Sequence, residues 1–183
     1  MTTTLRTSTT PRLTTPRLTL RRWREDDVEP MAAVNADPEV MRWIRDGSVL
    51  DRAETAAGIA AWEREWEERG VGLFAVEERE SGRFAGFAGL SVPEFLPEIL
   101  PAVEIGWRFG REFWGRGLAT EAARVVLDFA LRDRGLARVV SVHAVGNDAS
   151  EGVMRKLGMR PERRTVHPAH GGPLCVHVLE AAP

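Results

Sequence analysis

The sequence predicts a mixed α/β (α+β) fold, with its elements in the order β, αα, βββ, α, β, α, ββ. Three observations carry that expectation. At 183 residues, with 43% hydrophobic and 28% charged residues, the chain is sized for one domain with a full core. Stretches whose apolar residues alternate with period two interleave with stretches whose apolar residues recur every three or four positions, the signatures of half-buried strands and amphipathic helices. No internal repeat, and no linker rich in glycine, serine or proline, divides the chain. The expected layout is a disordered tail over residues 1–13 and a single domain over residues 14–183.

Residues 16–23 set Leu18 and Leu20 against Arg17, Thr19 and Arg21, which reads as a half-buried strand near a sheet edge with its arginines in solvent. Glu25, Asp26 and Asp27 then place negative charge where a helix begins, and Val28, Met31 and Val34 follow at spacings of three. Asp37-Pro38 starts a second short helical turn. Ala56, Ile59, Trp62 and Trp66 mark one face of a helix that Gly70 terminates. Residues 71–76 and 83–92 read as a hairpin around Ser81-Gly82, and the prolines of residues 93–102 mark a loop. A long helix is expected over residues 118–134, a buried strand over 138–145, and a short helix from Asn147 to Leu157 that Gly158 closes. Two strands, residues 159–166 and 174–180, complete the chain.

A net charge of −2 gives no general electrostatic drive toward nucleic acid or acidic lipid, so neither is expected as a partner. Cys175 is the single cysteine, which rules out an internal disulfide and fits a reducing, cytoplasmic setting. No apolar run approaches the length of a membrane span. Lys156 is the one lysine among 25 basic residues, a bias typical of GC-rich bacterial genomes.

The organising stretch is V-E-I-G-W-R-F-G-R-E-F-W-G-R-G-L-A-T-E-A, residues 103–122. It reads as strand, glycine loop, helix. Glycines let backbone amides approach a ligand closely, and a helix start adds unpaired N–H groups and the positive end of the dipole, so such a turn binds phosphate. Gly115-Arg116-Gly117-Leu118-Ala119-Thr120 approximates a dinucleotide-binding G-x-G-x-x-G, but Thr120 replaces the third glycine and too little chain follows for a doubly wound half.

Three pieces carry a more specific resemblance: T-P-R-L-T-L-R-R-W at residues 15–23, E-I-G-W followed by F-W-G-R-G-L-A-T-E-A within 104–122, and N-D-A-S-E-G-V-M-R-K-L-G-M at 147–159. Together they resemble the GNAT superfamily of acyl-CoA N-acyltransferases, and within it the ribosomal-protein N-terminal (Rim-type) branch. The resemblance covers residues 17–179. It implies a GNAT fold, a mostly antiparallel sheet of six to seven strands whose central parallel strands splay apart, flanked by helices. It also implies an acetyl-CoA-dependent N-acetyltransferase that acts through a ternary complex without a metal. Trp114 departs from the superfamily's usual phosphate signature and matches the aromatic-Trp-Gly of this branch.

By the same resemblance, backbone groups of Ile105, Gly106, Trp107, Arg108 and Phe109 hold pantetheine, and amides around Trp114, Gly115, Arg116, Gly117, Leu118, Ala119 and Thr120 hold the pyrophosphate. Asn147 and Ser150 also meet the cofactor. Arg111 and Arg116 are candidates for its phosphates, with Lys156 a weaker one. Amide formation from a thioester needs a neutral amine, which makes Glu104, on the strand bordering the splay, the candidate general base. The oxyanion donor is expected to be a backbone amide near Trp107 or Arg108. Ser150 is a candidate acid or thiol-binding hydroxyl and equally a candidate helix cap. There is no tyrosine to act as the acid.

Trp43, Trp62 and Trp66 read more readily as core than as acceptor wall, and the loop around Glu94, Phe95 and Glu98 suits a cationic acceptor or no ligand at all. His167, His170, Cys175 and His177 have metal-like spacing, but strand alternation already explains the last two, so no metal is expected. The acceptor is a protein N-terminus or a small amine such as a polyamine, amino acid or antibiotic. A non-catalytic CoA-binding sensor is the reading from a different class. Monomer and homodimer both remain open.

Overall fold

The computed structural model describes residues 11–181. Its centre is one eight-stranded sheet in the order β1-β2-β3-β4-β5-β6-β8-β7. The strands are β1 (Leu13–Thr14), β2 (Leu18–Arg21), β3 (Leu73–Glu78), β4 (Phe84–Ser91), β5 (Glu104–Phe109), β6 (Arg138–Ala144), β7 (Arg160–Val166) and β8 (Pro173–Glu180). Every neighbouring pair is antiparallel except β5 with β6. That arrangement removes the doubly wound dinucleotide fold. The helices are α1 (Val28–Asn35), α2 (Pro38–Met41), α3 (Arg52–Arg69), α4 (Leu118–Asp128) and α5 (Asp148–Lys156), with a π-helical turn, Phe129–Asp133, extending α4. None among the described residues is long and apolar enough to cross a membrane.

The sheet has one strand more than the six to seven expected. The extra one is β1, where Leu13 pairs with Leu20 inside the segment expected to be tail. Residues 1–10 of that expected tail lie outside the described residues. The solvent-facing arginines expected on β2 are also corrected, because Leu18, Thr19, Leu20 and Arg21 are all buried. Arg21 is only 6% exposed and holds Asp27 at 2.7 Å and Glu77 at 2.5 Å. Burial pulls its guanidinium down, but hydrogen bonds to the two carboxylates outweigh that and raise it. Two acceptors on neighbouring elements allow a strand with no solvent face to keep its arginine.

Gly70 ends α3 as read, in the left-handed region at φ 68°, and at the other end of that helix Asp51 and Glu54 form a reciprocal capping box. On one face of the sheet α4 and α5 cover a core that includes Leu20, Phe74, Val76, Ile105, Ala122, Val126 and Met154. On the other, Trp23, Met31, Ile59, Leu73 and Phe87 pack beneath α1 and α3. The indoles of Trp23 and Trp66 both donate to the Leu73 carbonyl, at 2.8 and 3.0 Å, which places Trp66 in the core as expected and Trp23 beside it. Leu96 and Ile99 of the proline loop close over Val140, Val176 and Val178.

Candidate active site

β5 and β6 meet at one point and then part. Their register holds a single pair, Glu104 with Val140, supported by a bond from the Val140 N–H to the Val103 carbonyl at 2.9 Å. One residue further along, side chains replace backbone pairing. The Ser141 hydroxyl donates to the Ile105 carbonyl at 2.8 Å, and the Val142 N–H donates to Oε1 of Glu104 at 3.2 Å. Beyond these clasps no ladder joins the strands, so a gap opens toward the ends of β5 and β6. Glu104 therefore sits at the vertex. Burial pushes its carboxyl up to about 7, against the opposing pull of the Val142 N–H.

The backbone of β5 alternates its hydrogen-bonding direction. Since the carbonyls of Val103 and Ile105 point toward β6, the backbone groups of Trp107 and Phe109 also face the gap, while those of Gly106 and Arg108 turn toward β4. This corrects the expectation that all five residues from Ile105 to Phe109 present backbone to a ligand. The Ile105 carbonyl is occupied by Ser141, and that of Phe109 accepts the Trp114 indole N–H at 2.8 Å. Trp107 keeps its polar groups toward the opening.

The gap leads into a cleft of about 440 Å³ lined by Trp107, Arg108, Phe109, Trp114, Gly115, Gly117, Leu118, Ala119, Thr120, Asn147, Ser150 and Lys156, among others. Gly115 and Gly117 hold φ of 71° and 76°, a region that a side chain strains, which is why the loop needs glycine at both positions. Gly117 is the N-cap of α4 and offers no side chain to its first turn. The amides of the α4 start are thus left for an anion, with the helix dipole behind them.

Two expected phosphate ligands are otherwise engaged. Arg111 pairs with Asp37 at 3.0 Å, and Arg116 pairs with the buried Glu78. Neither lines the cleft, whereas Lys156, the weaker candidate, does. The helix-cap reading of Ser150 is also revised. Asn147 caps α5 by accepting the Ser150 N–H at 3.2 Å, which leaves the Ser150 hydroxyl free of that task and facing the cleft.

A family model described as the acetyltransferase (GNAT) domain matches residues 17–160. The chain belongs to the GNAT acetyltransferase family. It is an N-acetyltransferase by that membership, and the fold implies acetyl-CoA as donor. The uncharacterized protein YkkB of Bacillus subtilis (strain 168) is 34% identical over 123 residues, covering 67% of this chain and 69% of that protein. Among solved structures, an acetyltransferase from Agrobacterium tumefaciens str. C58 superimposes with a TM-score of 0.80 at 24% identity, covering 94% of this chain and 96% of that one. RimL, a ribosomal L7/L12 alpha-N-protein acetyltransferase in complex with coenzyme A, gives 0.76 at 17% identity, covering 91% and 95%. At those identities the two structures bear on the fold alone.

Within the GNAT frame the structure adds contacts that the sequence reading did not assign. Glu121, in the A-T-E-A of α4, accepts from the Thr15 hydroxyl at 2.6 Å, from the Arg17 N–H at 3.0 Å and from Arg17 Nε at 2.7 Å. Arg17 also donates to the Arg116 carbonyl at 2.8 Å. The first two motif pieces are therefore contact partners, and Arg17 steadies the glycine loop from outside. Trp43 is the tryptophan that joins the site: it lines the cleft and lies against Gly146 at the end of the β6–α5 connection. Arg108 is the third addition. Its side chain bonds Asn35 Oδ1 at 2.6 Å and lies 5.2 Å from the centre of the Phe87 ring. Burial, then repulsion from Arg45, pulls its guanidinium down to about 10. Such long-range pairings have no local signature in sequence.

The histidines divide differently from their spacing. His167 and His170 stack on each other at 3.9 Å, with Phe95 against His167 at 5.3 Å. Cys175 and His177 instead come together with His143 of β6.

Proposed function

We propose that this enzyme moves an acetyl group from acetyl-CoA to a primary amine by direct attack within a ternary complex. The observation that carries the reading is Glu104, a carboxylate with a raised proton affinity at the point where β5 and β6 begin to part. In the proposed step the amine nitrogen bonds to the thioester carbonyl carbon and its proton passes to Glu104, directly or through a water. The Trp107 N–H faces the developing oxyanion. The C–S bond then breaks, and the departing thiolate, whose thiol has a pKa of roughly 8.5, is met by the Ser150 hydroxyl. Asn147 holds pantetheine, and the α4 amides with Lys156 hold the phosphates.

The acceptor proposed first is a protein N-terminus, after the Rim-type likeness; a small amine is the alternative with the same chemistry. Action in the cytoplasm fits a chain with one free thiol and an intracellular donor. A screen of N-terminal peptides and small amines with a thiol-release readout tests the proposal. CoA release is expected with at least one acceptor, and Glu104→Gln is expected to cut turnover about 100-fold or more while acetyl-CoA affinity stays unchanged. Tight acetyl-CoA binding with no release from any amine would replace this reading with that of a CoA sensor.

A further inference from the structure

His143 on β6 and Cys175 and His177 on β8 share one side of the sheet. His143 stands directly opposite Cys175 in the register, and His177 lies one alternation further along. Their ligand atoms, one per residue, all lie within 4.8 Å of one another. Both ring nitrogens of His177, which is 0% exposed, lack a hydrogen-bond partner, as does Nε2 of His143, which is 7% exposed. A buried polar atom without a partner needs a reason. The other nitrogen of His143, Nδ1, lies 3.0 Å from the Ala144 carbonyl. A carbonyl only accepts, so Nδ1 carries the proton and Nε2 is left with its lone pair, the arrangement that second-shell carbonyls impose on metal-binding histidines.

We propose that His143, Cys175 and His177 form a binding site for a divalent transition metal of the zinc class. One thiolate and two imidazoles favour zinc and its neighbours over magnesium or calcium, which prefer oxygen. Bond lengths of about 2.0–2.3 Å require the three side chains to close by roughly 1 Å, within the reach of small rotations. Cys175 is half-buried and supplies the entry side, leaving a fourth position for water. On binding, the Cys175 thiol gives its proton to solvent and the imidazoles bind neutral. Burial, reinforced by Glu151 of α5, pushes the Cys175 thiol up against the pull of Arg164, opposite it on β7, so a bound cation has to draw the proton off; Glu151, also within electrostatic reach of His177, favours that cation. Glu104 is not one of the site's ligands: its carboxylate accepts the Val142 N–H. The site would tie β6 to β8 just before the turn that presents Asn147 and Ser150.

The test uses the full chain, freed of metal with a chelator and titrated with zinc, and separately with cobalt(II). One zinc per chain is expected, with release of a proton, and the cobalt form is expected to show thiolate-to-metal charge-transfer absorption. Cys175→Ser should abolish that absorption and weaken zinc binding by about 10-fold or more, His143→Gln should weaken it similarly, and excess magnesium should not compete. Absence of saturable one-to-one zinc binding would overturn the proposal. So would a Cys175→Ser protein, folded by circular dichroism, that binds zinc as tightly as the parent.

Discussion

In the proposed mechanism Glu104 couples catalysis and stability through one proton. Its carboxyl is held near 7 in the folded chain, above its ordinary value of 4.5, because burial disfavours the charged form. A base works when deprotonated, so turnover is expected to rise with pH through about 7 and then level off. The linkage runs the other way. A carboxyl whose proton affinity is raised by folding stabilises the fold most fully below its unfolded value, and that contribution fades as pH climbs from about 4.5 through 7. Glu104→Gln, which cannot ionise, is expected to lose the catalytic limb and to gain stability relative to the parent above pH 7. Parallel pH profiles of turnover and urea midpoint check both signs; a parent profile flat between pH 5 and about 8 would remove Glu104 as the base.

At the scale of elements, the β4–β5 pair that borders the gap depends on backbone that has no room for a side chain. β4 runs beside β5, and at Gly86 its φ of 142° lies outside the reach of ordinary residues. A Cβ there would stand 2.0 Å from the Arg108 carbonyl oxygen. Gly86→Ala therefore has to push β4 off β5 or twist a strained residue, and is expected to cost about 3 kcal/mol or more, read from urea unfolding. A loss below about 1 kcal/mol would show that the strand pair yields easily there. The α4 start makes the opposite use of glycine. Gly115 and Gly117 leave space and open amides where a capping side chain would otherwise close the helix.

For the whole molecule, the consequence of the splay is a sheet whose two halves are joined by one backbone pair and two side-chain clasps. Antiparallel pairing completes β1 through β5 on one side and β6, β8 and β7 on the other, while α4 spans the junction. A ligand that enters the gap supplies contacts the protein lacks between its halves. Acetyl-CoA at about 100 times its dissociation constant is expected to stabilise the fold by about 2.7 kcal/mol. The Trp107 amide, which faces the opening, should become protected from hydrogen exchange. Stabilisation without that protection would place the ligand elsewhere on the molecule.

The helix stop at Gly70, the glycine loop, most of the element order and the family were legible in the chain's own order, because each depends on residues near one another or on a motif of fixed spacing. Gly70 ends α3 through its backbone freedom, and Gly115 with Gly117 marks the anion site for the same reason. Only the tertiary structure decided which charged groups remain free to act. Arg111 and Arg116 look like phosphate ligands until Asp37 and Glu78 are brought beside them, and Arg21 looks solvent-facing until Asp27 and Glu77 enclose it. His143 joins Cys175 only across a strand pair formed by residues 32 positions apart. Charge pairing and strand register are set by distance in space, and the chain's own order carries little record of them.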